Sequence, residues 1–255
     1  MLRHELLKHL HELLNPRTYL EIGVSVGGSL VLSRTSTIGV DPAFRITREV
    51  LCDLYLARIT SDEFFARQDP LAHFPEPVVD LAFIDGMHLA EYALRDLINV
   101  ERYTTPASVI VLDDMLPRHV DEAGRTRETA KYRGAWAGDV YKLIGTIREQ
   151  RPDLVCLEVD TKPTGTVVLL NPDAASSALS SAYDEAVGQY VVPDPQMVPD
   201  EILQRTRAIR PETLLEAPIW AQMQKFRELD RVSAGESVRR LLGASGLVTT
   251  PSRSV

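Results

Sequence analysis

Cysteine is nearly missing from this chain, with only Cys52 and Cys156 in 255 residues. Two thiols about a hundred positions apart give neither a disulfide framework nor a zinc spacing, and they fit a reducing cytoplasm. Also absent is any run of about 20 uncharged apolar residues, so no membrane span is expected. The opening stretch MLRHELLKHLHELLNP spaces Leu2, Leu6, Leu10 and Leu13 as a helix would. It carries charge throughout and so lacks the apolar centre of a secretory signal; it reads as a surface helix. Positive charge is in deficit, 28 Lys and Arg against 36 Asp and Glu, for a net charge of −8. That balance argues against nucleic acid or anionic lipid as partner and favours a small molecule. Internal repeats and low-complexity tracts are absent as well.

What the chain does contain is a series of short apolar runs separated by helical patterns, the signature of strands buried on both faces of a parallel sheet. TYLEIGV, TIGVD, a weak run near ARIT, VVDLAFIDG and ASVIVLDD are the expected strands, with helices over 28–33, 43–56, 88–103 and 138–150. This alternation predicts an α/β, doubly wound, Rossmann-like open sheet with right-handed crossovers. LVCLEVD and TGTVVLLNP, joined by TKPTG, predict a terminal antiparallel hairpin. Residues 1–172 form the expected sheet domain with its N-terminal helix, and 173–255 a helical C-terminal extension. The segment PIWAQMQKFREL in that extension places Ile219, Met223 and Phe226 on one side. Such a face must pack on the sheet, close a pocket or meet a second subunit in a homo-oligomer. The last dozen residues are expected to fray.

The first strand runs into YLEIGVSVGGSL, with Glu21 before a turn containing Gly23, Ser25, Gly27 and Gly28. Glycines there allow close approach of a ligand, and the amides that open a helix present partial positive charge. A dinucleotide site would want G-x-G-x-x-G. This chain has G-x-x-x-G-G behind an acid that would repel a pyrophosphate. That acid suits a ligand bearing an ammonium group, such as the methionine end of S-adenosylmethionine. Asp41, at the tip of the second strand, is placed to accept hydrogen bonds from ribose hydroxyls.

Carboxylates also stand at the ends of the fourth and fifth strands: Asp85 in LAFIDGMH, with His88 close behind, and Asp113 and Asp114 in VIVLDD. Three carboxylates in one cleft repel one another, and a hard divalent ion such as Mg²⁺ would relieve this. Asp85, Asp113 and Asp114 are therefore the candidate metal ligands. The ion would lower the pKa of an acceptor hydroxyl, and His88 or Asp85 would take the proton. Plainer roles also fit these residues: Asp85 as a helix cap, the Asp pair as a polar strand end, His88 as a helix-start residue.

The order YLEIGVSVGGS, IGVDP, DLAFIDGMH, VIVLDD and a terminal hairpin resembles the class I S-adenosylmethionine-dependent methyltransferases. More narrowly, it is similar to small-molecule methyltransferases with an I-D-G-x-H motif and to metal-dependent sugar O-methyltransferases of antibiotic pathways. The likeness covers roughly residues 15–172. It implies a seven-stranded sheet, with the donor above the first, second and fourth strands and the acceptor above the fourth and fifth. Glu21, Gly23, Ser25, Gly27, Asp41 and Asp85 would hold the donor, and the acceptor would be a hydroxyl of a sugar or natural-product scaffold. A metal-independent enzyme using His88 alone, and a non-catalytic protein that binds an adenosyl ligand, are the alternatives. Between Met115 and Gly138 lies a long charged loop bordering the acceptor side. Arg118, His119, Arg125, Arg127, Lys131 and Arg133 are candidates to contact an acidic acceptor, and Trp136 to stack on a ring.

Overall fold

The computed structural model of the protein describes residues 1–129 and 135–247. Seven strands form one sheet: β1 (Thr18–Ile22), β2 (Ser36–Val40), β3 (Leu54–Ala57), β4 (Leu81–Ile84), β5 (Val109–Leu112), β6 (Val155–Val159) and β7 (Thr166–Leu170). Their order is β3-β2-β1-β4-β5-β7-β6. β7 is antiparallel to both β5 and β6, so six strands run one way and β7 alone is reversed. All residues of β1, β4, β5 and β7 are buried, as strands covered on both faces must be.

Strand alternation divides the sheet into two faces. Leu20, Ile22, Ile110 and Leu112 join a core with α3 (Ala90–Glu101) and α4 (Leu143–Gln150). Tyr19, Leu81, Phe83, Val109 and Val111 join the opposite core with α1 (Arg3–Leu14). Leu6, Leu7, Leu10 and Leu14 of α1 are at most 1% exposed, and burial of each contributes roughly 2 kcal/mol.

The C-terminal helices divide between the same two faces. Leu179 of α5 (Ala178–Ser181), Ala186 of α6 (Tyr183–Tyr190) and Ile202 of α7 (Asp200–Leu203) pack with α3 and α4. Leu214 of α8 (Pro211–Leu215), Met223 of α9 (Trp220–Phe226) and Val238 of α10 (Arg231–Ala244) pack with α1. The face expected around Ile219, Met223 and Phe226 thus lies against the sheet side that α1 covers. Among the described residues, no helix is long and apolar enough to cross a membrane.

Two local expectations are corrected. The segment 43–56 is not a helix; Asp41 folds back on the Ala43 amide, and Leu54 already begins β3. The third strand lies near ARIT as expected, ending on its first residue, Ala57. Thr60 instead caps the short helix α2 (Ser61–Phe65) in a reciprocal box with Glu63. The helix expected over 28–33 shrinks to one 3₁₀ turn, Leu30–Leu32.

Candidate active site

The parallel ladder continues one residue past the strands and brings their tips level. Gly23 N donates to Val40 O (3.0 Å), Asp41 N to Ala57 O (3.1 Å), Asp85 N to Ile22 O (2.8 Å) and Asp113 N to Ile84 O (3.0 Å). Gly23, Asp41, Asp85 and Asp113 therefore share one rim at the carboxyl ends of the strands, where open α/β sheets bind ligands. A cavity of about 560 Å³ opens there, with Gly23, Ser25, Asp41, Asp85 and His88 on its wall.

The turn after β1 explains its glycine. Gly23 has φ +90°, and a Cβ on it would lie 1.8 Å from the Asp85 carbonyl oxygen, so only glycine fits between the β1 and β4 tips. Gly27, φ +78°, turns the loop against Ile46 and is not on the cavity wall. Asp41 ties the turn to the tip of β2: its carboxylate accepts from Ser25 N at 2.7 Å and from Ala43 N at 2.6 Å.

Glu21 lies behind this turn and not on the cavity wall. It shares a strand face with Tyr19, whose hydroxyl donates to Oε2 at 2.6 Å, while the Ser29 hydroxyl donates to Oε1 at 2.7 Å. The carboxyl is 0% exposed, and burial, only partly offset by those two hydrogen bonds, pushes its pKa up to about 8. The two hydroxyls occupy both oxygens that were expected to face the donor's ammonium group.

Two of the three acidic residues expected to converge do so, joined by His88. Asp85, His88 and Asp114 each offer one ligand atom, and these atoms all lie within 4.8 Å of one another. His88 Nε2 is 3.2 Å from Asp85 Oδ1, and His88 Nδ1 is 3.2 Å from Asp114 Oδ2. The Thr164 hydroxyl donates to the other Asp114 oxygen. Asp113 stands apart from that group although alternation along Val109, Val111 and Asp113 carries it to the α1 face, the face Asp85 also takes after Leu81 and Phe83. There Arg3 Nε stands 2.7 Å from Asp113 Oδ2, and the same guanidinium reaches to 4.0 Å of Asp85. The Arg3–Asp113 contact is off the N–H direction, and among the described residues neither buried Asp113 oxygen has a well-aligned hydrogen bond. Burial, then the charges of Asp114 and Asp85, push the Asp113 carboxyl far up; burial first, then Asp85, raise Asp114.

His88 is strained and fixed, with φ +58° and its ring stacked on Trp136 at 4.9 Å and 14°. Nδ1 is 2.7 Å from the Trp136 carbonyl, which can only accept, so Nδ1 carries a hydrogen and Nε2 faces Asp85. Burial alone would lower its pKa. The hydrogen bond to Asp85 and the charges of Asp114 and Asp85 outweigh that and hold it at about 9. At neutral pH the ring is therefore an imidazolium, not the free base expected from the sequence. Asp85 does not cap α3; the first amide of that helix, Ala90 N, is taken by Asp139 from beyond the loop, at 2.9 Å.

Of the loop cations expected at the acceptor, only Arg127 lines the cavity among the described residues, 5.3 Å from the Trp136 ring. Arg118 pairs with Glu122 at 2.6 Å, and His119 lies 3.3 Å from Asp121. Arg125 pairs with Glu91 at 2.6 Å and with Asp139 at 2.5 Å. Trp136 stacks on His88 instead of standing open to a substrate ring. Lys131 and Arg133 lie outside the described residues, as do most of the C-terminal dozen.

Arg3, Asp96 and Asp139 escaped the sequence reading. Asp96 had a visible signal, a carboxylate between Leu94 and Leu97 on the apolar side of α3. It is 3% exposed, lines the cavity, and burial pushes its pKa up to about 7. Arg3 and Asp139 act across the fold, and nothing local marks them.

Residues 20–115 match the model of a family described as a methyltransferase domain. That match runs from within β1 to the tip of β5 and takes in the glycine turn, Asp41, Asp85, His88 and both acids at the β5 tip. Among solved structures, an O-methyltransferase from Bacillus cereus in complex with SAH is similar at 15% identity. The match covers 66% of this chain and 80% of that one, with a TM-score of 0.43. The O-methyltransferase TomG from Streptomyces achromogenes, involved in tomaymycin synthesis and in complex with SAM, is 15% identical, covering 66% and 79%, TM-score 0.44. An SAH-bound methyltransferase from Podospora anserina is 11% identical, covering 67% and 78%, TM-score 0.46. No curated protein matches the chain.

Proposed function

We propose that the protein transfers the methyl group of S-adenosylmethionine to a hydroxyl of a small molecule, a sugar or natural-product scaffold. The observation that carries this reading is the level rim: a glycine turn pinned to Asp41 on one side and Asp85 and His88 on the other share one cavity, with Asp114 set against His88 behind its wall. Gly23 and Ser25 meet the methionine end of the donor and Asp41 its ribose, while Glu21 braces the turn from behind through Ser29. The acceptor enters on the side of Asp85 and His88, beneath Trp136 and Arg127. The two unpaired cysteines support placement in a reducing cytoplasm.

Displacement at a sulfonium requires the acceptor oxygen in line behind the methyl carbon, so most of the work is positioning. Asp85, His88 and Asp114 fit a divalent ion by donor type and proximity. Such an ion would supply the charge that lowers the hydroxyl's pKa. Trp136 fixes the His88 ring and takes its Nδ1–H, which leaves Nε2 as the nitrogen that would ligate such an ion. A second reading, without an ion, is favoured by the presence of Arg3 and His88, which already offset part of the charge of Asp85, Asp113 and Asp114. In that reading His88 acts as base once the sulfonium of the bound donor lowers its pKa.

Calorimetric titration with S-adenosylhomocysteine tests the donor assignment: micromolar binding that weakens strongly in Asp41→Ala is expected, and no heat at millimolar ligand would refute it. Product mass over a panel of hydroxylated acceptors, with and without EDTA, then separates the two readings.

A further inference from the structure

We infer that Arg3 decides which divalent ion the cleft accepts, by keeping Asp113 out of the ion's coordination shell. The inference rests on the metal-assisted reading above and deepens it. Asp113 is 1% exposed at its side chain, and its two oxygens have no hydrogen bond. Such a carboxylate would ordinarily be the first to take a cation. Arg3 occupies that position at 2.7 Å, and it is held there by a helix whose Leu6, Leu7, Leu10 and Leu14 are buried against the sheet.

The remaining candidates, Asp85, His88 and Asp114, form a mixed nitrogen and oxygen set. Mg²⁺ favours oxygen ligands in octahedral geometry, whereas later first-row divalent ions take imidazole readily. With Arg3 in place the cleft is built for an ion of the second kind. Without Arg3, Asp113 would return an all-carboxylate option of Asp85, Asp113 and Asp114, which suits Mg²⁺.

The test titrates Co²⁺ and Mg²⁺ by calorimetry and records the visible spectrum of bound Co²⁺, using wild type, Arg3→Gln, the double variant Arg3→Gln with Asp113→Asn, and His88→Asn. Wild type should bind Co²⁺, and His88→Asn should weaken that binding roughly tenfold or more. Arg3→Gln should gain Mg²⁺ affinity by roughly tenfold or more and alter the Co²⁺ spectrum. The double variant, which leaves no buried unpaired carboxylate and should fold even if Arg3→Gln does not, should return both readouts to wild type. Unchanged Mg²⁺ affinity in Arg3→Gln, a double variant that keeps the Mg²⁺ gain, or His88→Asn binding Co²⁺ like wild type would each overturn the inference. Ion binding in Arg3→Gln alone would also overturn it, by making Arg3 itself the resident cation. S-adenosylhomocysteine titration of the same four proteins reports on the donor assignment separately: donor binding without any ion binding leaves methyl transfer standing and removes both the metal and the role given to Arg3.

Discussion

Replacing Glu21 by Gln should make the protein more stable in alkali while changing little in mild acid. The buried carboxyl titrates near 8 in the folded protein against an ordinary 4.5. An acid whose pKa is raised by folding binds its proton more tightly when folded, so the native state is favoured while the group is protonated. Its cost to stability is absent below about pH 4.5, grows as pH rises, and is complete above about pH 8. At about 1.4 kcal/mol per pH unit, the full swing is on the order of 4–5 kcal/mol, an upper bound because water can reach an ionised site. Gln removes the titration and keeps the contacts, since one hydroxyl of the Tyr19 and Ser29 pair can still donate to the amide oxygen and the other can accept from the amide nitrogen. Urea denaturation of both proteins from pH 5 to 9.5 reads the difference directly. The gap should stay within about 1 kcal/mol near pH 5 and open by several kcal/mol in favour of Gln by pH 9. Parallel curves would show that Glu21 ionises without cost, and the account of its burial would be wrong.

Gly23→Ala drives a Cβ to 1.8 Å from the Asp85 carbonyl, so a loss of about 3 kcal/mol or more and no measurable S-adenosylhomocysteine binding are expected in melts and calorimetry. Among the described residues, Arg125→Ala leaves Glu91 without a cation and Asp139 with Lys142, at 2.8 Å. A loss of about 3 kcal/mol is expected, read by urea denaturation, and a change below about 0.5 kcal/mol would show the network to be idle. Trp136→Ala frees the His88 ring and removes a platform under Arg127. Methyl transfer should fall with donor affinity nearly intact, and loss of donor binding instead would place Trp136 on the wrong side of the cleft.

The sheet was legible because its strands are unbroken apolar runs, and both the hairpin and the rim acids follow from where those runs stop. Strand parity was equally available: Val109, Val111 and Asp113 lie on the α1 face and so do Tyr19 and Glu21, although Asp85, of the same parity after Leu81 and Phe83, still reaches the cavity. Arg3 was not legible. The leucine stripe of α1 reveals that the helix packs, but which end reaches the strand tips depends on docking, a tertiary matter. The misplaced helix over 43–56 has a similar cause. Apolar residues such as Ile46, Val50 and Leu54 recur at helical spacing there, yet Asp41 turns the chain at Ala43 and the sheet claims Leu54.

The loop after β5 is tied down on both sides of its middle, by Arg125 on Glu91 and by Asp139 on the first amide of α3. Between those two anchors Trp136 stacks on His88, and Gly138, at φ +65°, leaves no room for a Cβ beside the His88 carbonyl, so these two positions are tied to the site. On the reading proposed above, a change of acceptor would begin instead at Arg127 on the cavity wall, with the glycine turn and the tips of β1 and β2 left as they are.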